Sequence, residues 1–119
     1  MKEKKYYPKE EDEQAVLVEY LELKGLRFSA IAQSTYTKSW KQKMKNKKMG
    51  VRSGLPDLMV IIPNPEQNIL LFIELKRIKG GAVKQSQNEW IDELNKVEGV
   101  IAKICYGAEE AIKFIESGL

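Results

Sequence analysis

Histidine is absent from all 119 residues, and cysteine occurs once. The first absence excludes histidine-dependent nucleases, Ser-His-Asp triads and most zinc sites, and the second excludes an internal disulfide and a thiolate cluster. Oxygen ligands are what remain for metal chemistry. There is no run of about eighteen apolar residues and no leader-like segment, so the expected location is cytoplasmic, in a bacterial or phage-infected cell, with no membrane partner. The chain is too short for two cores, since a domain of this length buries roughly 65% of its unfolded surface. Residues 1–119 are therefore expected to form one domain, with 1–8 a flexible basic tail ending at Pro8. Cys105 sits in the apolar run Val100-Ile101-Ala102-Lys103-Ile104-Cys105 and reads as a buried structural thiol.

Acidic residues are missing from one long stretch. Between Lys38 and Arg52 the charged residues are Lys38, Lys41, Lys43, Lys45, Lys47, Lys48 and Arg52, although the net charge of the whole chain is only +3. Such a run suits a phosphate backbone, and the plain alternative is a solvated loop. Trp40 within it is available to stack on an opened base or, more simply, to pack against the sheet or a partner subunit.

Repeats, low-complexity segments and long linkers are also lacking. Glu10 to Lys24 reads as a helix stopped by Gly25, Leu26 to Ile31 as a strand, and Ala32 to Ser53 as a long loop with room for a short helix. Leu58 to Ile62 and Ile69 to Leu75 are hairpin arms around the turn Pro63-Asn64-Pro65-Glu66-Gln67-Asn68. Gln85 to Glu98 is a second helix closed by Gly99, Val100 to Tyr106 a strand, and Ala108 to Ser117 a last helix. The order α-β-β-β-α-β-α predicts an α/β fold, a mixed central sheet flanked by helices on both sides.

The chemistry concentrates at Gly54-Leu55-Pro56-Asp57 and Ile73-Glu74-Leu75-Lys76. Strand periodicity sends Glu74 and Lys76 to one face and Ile73 and Leu75 to the other. If the two arms pair, Asp57 lies beside Glu74, and two carboxylates converge next to an ammonium. Asp57, Glu74 and the backbone carbonyl of Leu75 are a fitting ligand set for the hard cations Mg²⁺ or Mn²⁺, while Lys76 would orient or stabilise an attacking hydroxide. An ordinary strand with an exposed Glu and Lys is the alternative. In the first helix, positions 10, 14, 17 and 21 share a stripe, aligning Glu10 and Gln14 with Leu17 and Leu21. Glu13 lies within about 60° of Glu10 and stays open as the inward carboxylate, and acids at a helix start also complement its dipole without forming a site.

Gly-x-Pro-Asp, the connecting strand, Ile-Glu-Leu-Lys, the turn Lys79-Gly80-Gly81 and Gln87 opening a helix occur in that order. Here the chain resembles the VRR-NUC (virus-type replication-repair nuclease) family of the PD-(D/E)xK nuclease superfamily, over about residues 9 to 116. The resemblance implies a restriction-endonuclease-like fold, dependence on Mg²⁺ or Mn²⁺ with no organic cofactor, and cutting of DNA at branches, flaps or four-way (Holliday) junctions. It also implies a metal-site glutamate from an E-x-x-x-Q helix, which Glu10 and Gln14 fit, and a role for Gln87 in orienting a ligand carboxylate or water. A homodimer is expected on the family likeness, the small size and the single site per chain, with either the Ala32 to Ser53 segment, which carries Tyr36 and Trp40, or the apolar outer face of a helix as its interface. The competing expectations are a flap or non-specific nuclease, a catalytically silent DNA-binding module, and a structural subunit that keeps the fold.

Overall fold

Four acids, Glu10, Glu11, Asp12 and Glu13, fill the first turn of α1 (Glu10–Lys24), and Lys24 occupies the last, so both ends complement the helix dipole. Gly25 ends the helix by returning its N–H to the carbonyls of Glu22 and Leu21. The computed structural model describes residues 6–32 and 37–119; Tyr36 and most of the expected tail lie outside the described residues. The buried stripe of α1 is Glu13, Leu17 and Leu21. It is rotated from the expected line of 10, 14, 17 and 21, because Glu13 has a buried backbone partner described below.

Strands β1 (Arg27–Ala30), β2 (Leu58–Ile62), β3 (Ile69–Lys76) and β4 (Val100–Tyr106) form one sheet in the order β1-β2-β3-β4. The first two pairings are antiparallel and β3 runs parallel to β4. Opposing pairs Leu58↔Ile73 and Val60↔Leu71 place alternate apolar residues on one face. That face packs with Leu17 and Leu21 of α1 and with Ala111 and Ile115 of α4 (Ala108–Gly118) into one core. Glu74 is one residue out of phase with Ile73 and Leu75, so it turns to the opposite face, where α3 (Gln85–Leu94) meets it. Helices thus lie on both sides of a mixed sheet. Cys105 is fully buried in the core, and burial pushes its thiol up to about 12, which makes it inert.

Element bounds differ from the sequence expectation by one residue at the ends of β3 (Lys76) and α4 (Gly118), and at β1 and α3 for identifiable reasons. β1 is shorter than Leu26 to Ile31, because the Leu26 N–H returns to Leu21 O at 3.2 Å as part of the helix ending. α3 stops at Leu94 and not at Glu98: the Asn95 side-chain amide donates to Ala102 O at 2.9 Å and accepts from Ala102 N at 2.8 Å, binding the helix end to β4. The long connection contains a true helix, α2 (Trp40–Lys48), started by Ser39 Oγ accepting from Gln42 N at 3.2 Å. None of its residues is buried. The radius of gyration, 16.0 Å, exceeds the roughly 13.5 Å of a compact domain of this length, consistent with a helix that stands away from the sheet. No described helix is long and apolar enough to cross a membrane.

Candidate metal and catalytic site

The site begins with a loop that only glycine permits. Gly54 has φ +93°, and a Cβ there would lie 2.6 Å from the backbone C and O of Ser86 at the start of α3. The neighbouring Ser53 carbonyl accepts from Trp90 Nε1 at 3.1 Å, so the loop is clamped to α3 at two points. Gly54→Ala is expected to destabilise the fold by about 3 kcal/mol or more, since both the strained φ and a backbone clash must be relieved. Urea unfolding measures this; a loss under 1 kcal/mol, on the order of noise for a surface change, would contradict the clamp.

Past the buried Pro56, the Asp57 N–H donates to Ile73 O at 3.0 Å and joins the hairpin, and Asp57 Oδ2 accepts from Leu75 N at 2.8 Å. Asp57 therefore stands across from Glu74 at the end of β2. Glu74 Oε1 accepts from Gln87 Nε2 at 2.9 Å and lies 3.5 Å from Lys76 Nζ. Gln87 is itself oriented, because its Oε1 accepts from Lys84 N at 2.9 Å and so turns the amide nitrogen to Glu74. Glu74 Oε2 is buried with no protein partner. Both Glu74 and Lys76 are buried, against the ordinary location of such residues.

From the first turn of α1, Glu10 completes a trio: one carboxylate oxygen each of Glu10, Asp57 and Glu74 lie within 4.8 Å of one another. Glu13 is elsewhere. Its Oε2 accepts from Ala108 N at 2.8 Å, capping the start of α4. Gly107, with φ +91°, allows this contact, because a Cβ there would come to 2.5 Å from Glu13 Oε2. The Gly107 N–H in turn holds Lys76 O at 2.8 Å. Of the two glutamates left open by helical spacing, Glu10 is thus the one beside Asp57 and Glu74, and Glu13 braces the base of the site.

The electrostatics match a cluster of like charges. Burial, and then the charge of Asp57, push Glu74 up to about 8; Lys76 and its hydrogen bond oppose this without cancelling it. Asp57 and Glu10 are also raised, each chiefly by burial. The trio borders a cavity of about 220 Å³ that also reaches Lys76, Lys84 and Gln87. Three carboxylates that strain to ionise together, one with an unsatisfied buried oxygen, suit a divalent cation, which removes the repulsion and supplies the missing partner. Lys84 and Ser86 were not singled out by the sequence; each stands beside the expected helix start at Gln85 but carries no motif of its own.

The basic run is not gathered at the trio. Lys41, Lys43, Lys45, Lys47 and Lys48 are exposed on α2, Lys38 precedes it, and Arg52 lies at the rim of a neighbouring cavity that begins at Ser53.

The VRR-NUC domain model matches residues 3–109. A solved structure described as a VRR-NUC domain protein is 28% identical, covering 94% of this chain and 88% of that one with a TM-score of 0.68. A second, described as a VRR-NUC domain, is 23% identical over 90% of this chain and 94% of its own, with a TM-score of 0.62, and shows the shared fold. No curated protein matches the chain. The family match spans both the α1 carboxylates and the Asp57 to Gln87 segment, and on it the chain belongs to the VRR-NUC family of nuclease domains.

Proposed function

We propose that this single nuclease domain is a metal-dependent, structure-selective DNA endonuclease, and that it hydrolyses phosphodiester bonds in branched DNA such as four-way junctions. The observation that carries the reading is the convergence of Glu10 and Asp57 on the buried Glu74, with Lys76 alongside and Glu74 Oε2 unpartnered. A bound Mg²⁺ or Mn²⁺ would polarise the phosphate and lower the pKa of water at the site. Asp57, Glu74, Glu10 and the Leu75 carbonyl would hold it. Gln87 keeps the Glu74 carboxylate turned into the site, and Lys76 orients the attacking water and offsets negative charge as it develops on the phosphate. A pure DNA-binding module would gain nothing from buried carboxylates aimed at phosphate, since their charge repels DNA unless a cation intervenes. Cleavage of a labelled panel of four-way junction, flap, duplex and single-stranded DNA tests substrate choice; the junction should be cut fastest. Equal rates on all four would replace structure selectivity with a non-specific nuclease.

The lysines of α2 serve in this reading as the phosphate contacts outside the site. Neutralising Lys45, Lys47 and Lys48 together should weaken DNA binding across sequences and flatten its dependence on salt, with the fold unchanged because these side chains bury nothing. Binding titrations at several salt concentrations measure the slope, and an unchanged slope would assign the run to a solvated surface.

A homodimer fits the same reading, because symmetric cutting of a four-way junction needs two sites facing opposed strands. Trp40 and Met49 are each about three-quarters exposed at the two ends of α2, an uncommon cost for a monomer and a natural anchor for a second copy. Sedimentation at micromolar concentration should give about twice the 13.7 kDa chain mass. A strict monomer, free and on DNA, would shift the preferred substrate to flaps or single-strand nicks.

A further inference from the structure

A second cavity of about 470 Å³ adjoins the carboxylate site and is lined by Arg52, Ser53, Ser86, Glu89, Trp90 and Glu93. Ser53 and Ser86 line both cavities, so the two are contiguous. The volume falls within the range of small-molecule sites, roughly 300–1,000 Å³. Its aromatic wall is rigid, because Trp90 Nε1 is tied to Ser53 O, in the same loop that carries Asp57. Its charges are mixed. Arg52 is a cation at the rim, while Glu89 accepts a hydrogen bond from the uncharged Gln85 amide and Glu93 pairs with Lys96 Nζ, each at 3.0 Å.

A phosphate alone would be repelled by two carboxylates, and an aliphatic group would leave Arg52 and both acids unused. A nucleobase uses all of these features. Its flat face stacks on indole, its exocyclic amino group donates to a carboxylate, and its own phosphate meets the guanidinium. Resting on the nuclease reading above, we propose that this cavity receives one unstacked DNA base next to the scissile phosphate. The cut then falls where a neighbouring base can leave its stack, as at a branch point or flap and not within continuous duplex. The selectivity for branched DNA comes from this cavity in addition to any dimer geometry.

The test uses a four-way junction in which each nucleotide flanking the cut is replaced in turn by an abasic site, then by 2-aminopurine. Removing the base at one flanking position should slow single-turnover cleavage by about tenfold, the scale of one stacking contact. Trp90→Leu should cause a similar loss on intact DNA, and the two changes together should be no worse than one. With Ca²⁺ replacing Mg²⁺, 2-aminopurine at that position should change its fluorescence on binding the wild-type chain, and this change should be lost with Trp90→Leu. Should that variant fail to fold, Arg52→Ser and Glu89→Ala, at exposed positions, carry the same comparison. A flat abasic scan, additive losses, or a fluorescence change unaffected by these substitutions would overturn the proposal. Cleavage without base capture rejects the cavity alone, whereas base capture without cleavage rejects the nuclease reading and leaves the cavity standing.

Discussion

Asp57→Ala, Glu74→Ala and Lys76→Ala should each lower single-turnover cleavage by about a thousandfold or more, with DNA binding retained. The scale follows from the barrier: several kcal/mol rest on the charges at the reacting phosphate, and about 1.4 kcal/mol is a factor of ten in rate. Asp57 and Glu74 share one end of the sheet and 4.8 Å of space with Glu10, so losing either leaves too few oxygens to hold a cation. Lys76 acts differently. Its ammonium is buried 3.5 Å from Glu74 Oε1, and on the proposed reading its loss removes a positive charge that offsets the developing negative one. Gln87→Ala should give a smaller loss, because it only releases the Glu74 carboxylate from its orienting bond at 2.9 Å. A folded Glu74→Ala variant that cleaved at near wild-type rate would place the chemistry elsewhere.

Glu74→Gln should make the metal-free protein more stable at pH 8 while abolishing its activity. Burial, followed by the nearby charge of Asp57, raises the Glu74 carboxyl from its ordinary 4.5 to about 8. Below pH 4.5 the group is protonated in both the folded and the unfolded chain, and its favourable contribution is fully present. Between 4.5 and 8 the unfolded chain gives up the proton and the folded one keeps it, so stability falls as the pH rises through this window. Glutamine stays neutral throughout and can still accept from Gln87. Thermal denaturation in EDTA should therefore show the wild-type melting temperature declining from pH 5 to pH 8, and the variant gaining about 5 °C or more at the upper end. Adding Mg²⁺ at pH 8 should restore the wild type and leave the variant unmoved, since only a chain that binds the ion is stabilised by it. A metal-free wild type that is more stable at pH 8 than at pH 5 would show that the carboxylate is not strained by its surroundings. These outcomes together would show function held against stability, as is common where like charges are packed to receive a ligand.

The pattern Gly-x-Pro-Asp followed by Ile-Glu-Leu-Lys was enough to place the hairpin, because strand alternation and a Gly-Pro turn are local rules. β2, β4 and the span of α1 follow from the same local signals. The remainder depended on partners distant in sequence. Asn95 ends α3 early by bonding Ala102, and no periodicity announces that an amide will prefer a strand edge to another turn of helix. Glu13 and Glu10 are nearly equivalent on a helical wheel; the Ala108 N–H separates them, and it is 95 residues away. The helix α2 was obscured because none of its residues is buried, which leaves no apolar face for the pattern to reveal. Trp90 carries no motif in the sequence, and its bond to Ser53 O and its place in the wall of a cavity beside the site are seen only in the fold.

One time course tests the central claim most directly: cleavage of an end-labelled four-way junction by the purified chain in Mg²⁺, in EDTA, and in EDTA with Mg²⁺ restored. Metal-dependent hydrolysis at the carboxylate trio predicts cutting in the first condition, none in the second and recovery in the third. Equal cutting in EDTA, or none with either Mg²⁺ or Mn²⁺ on any DNA, would contradict it.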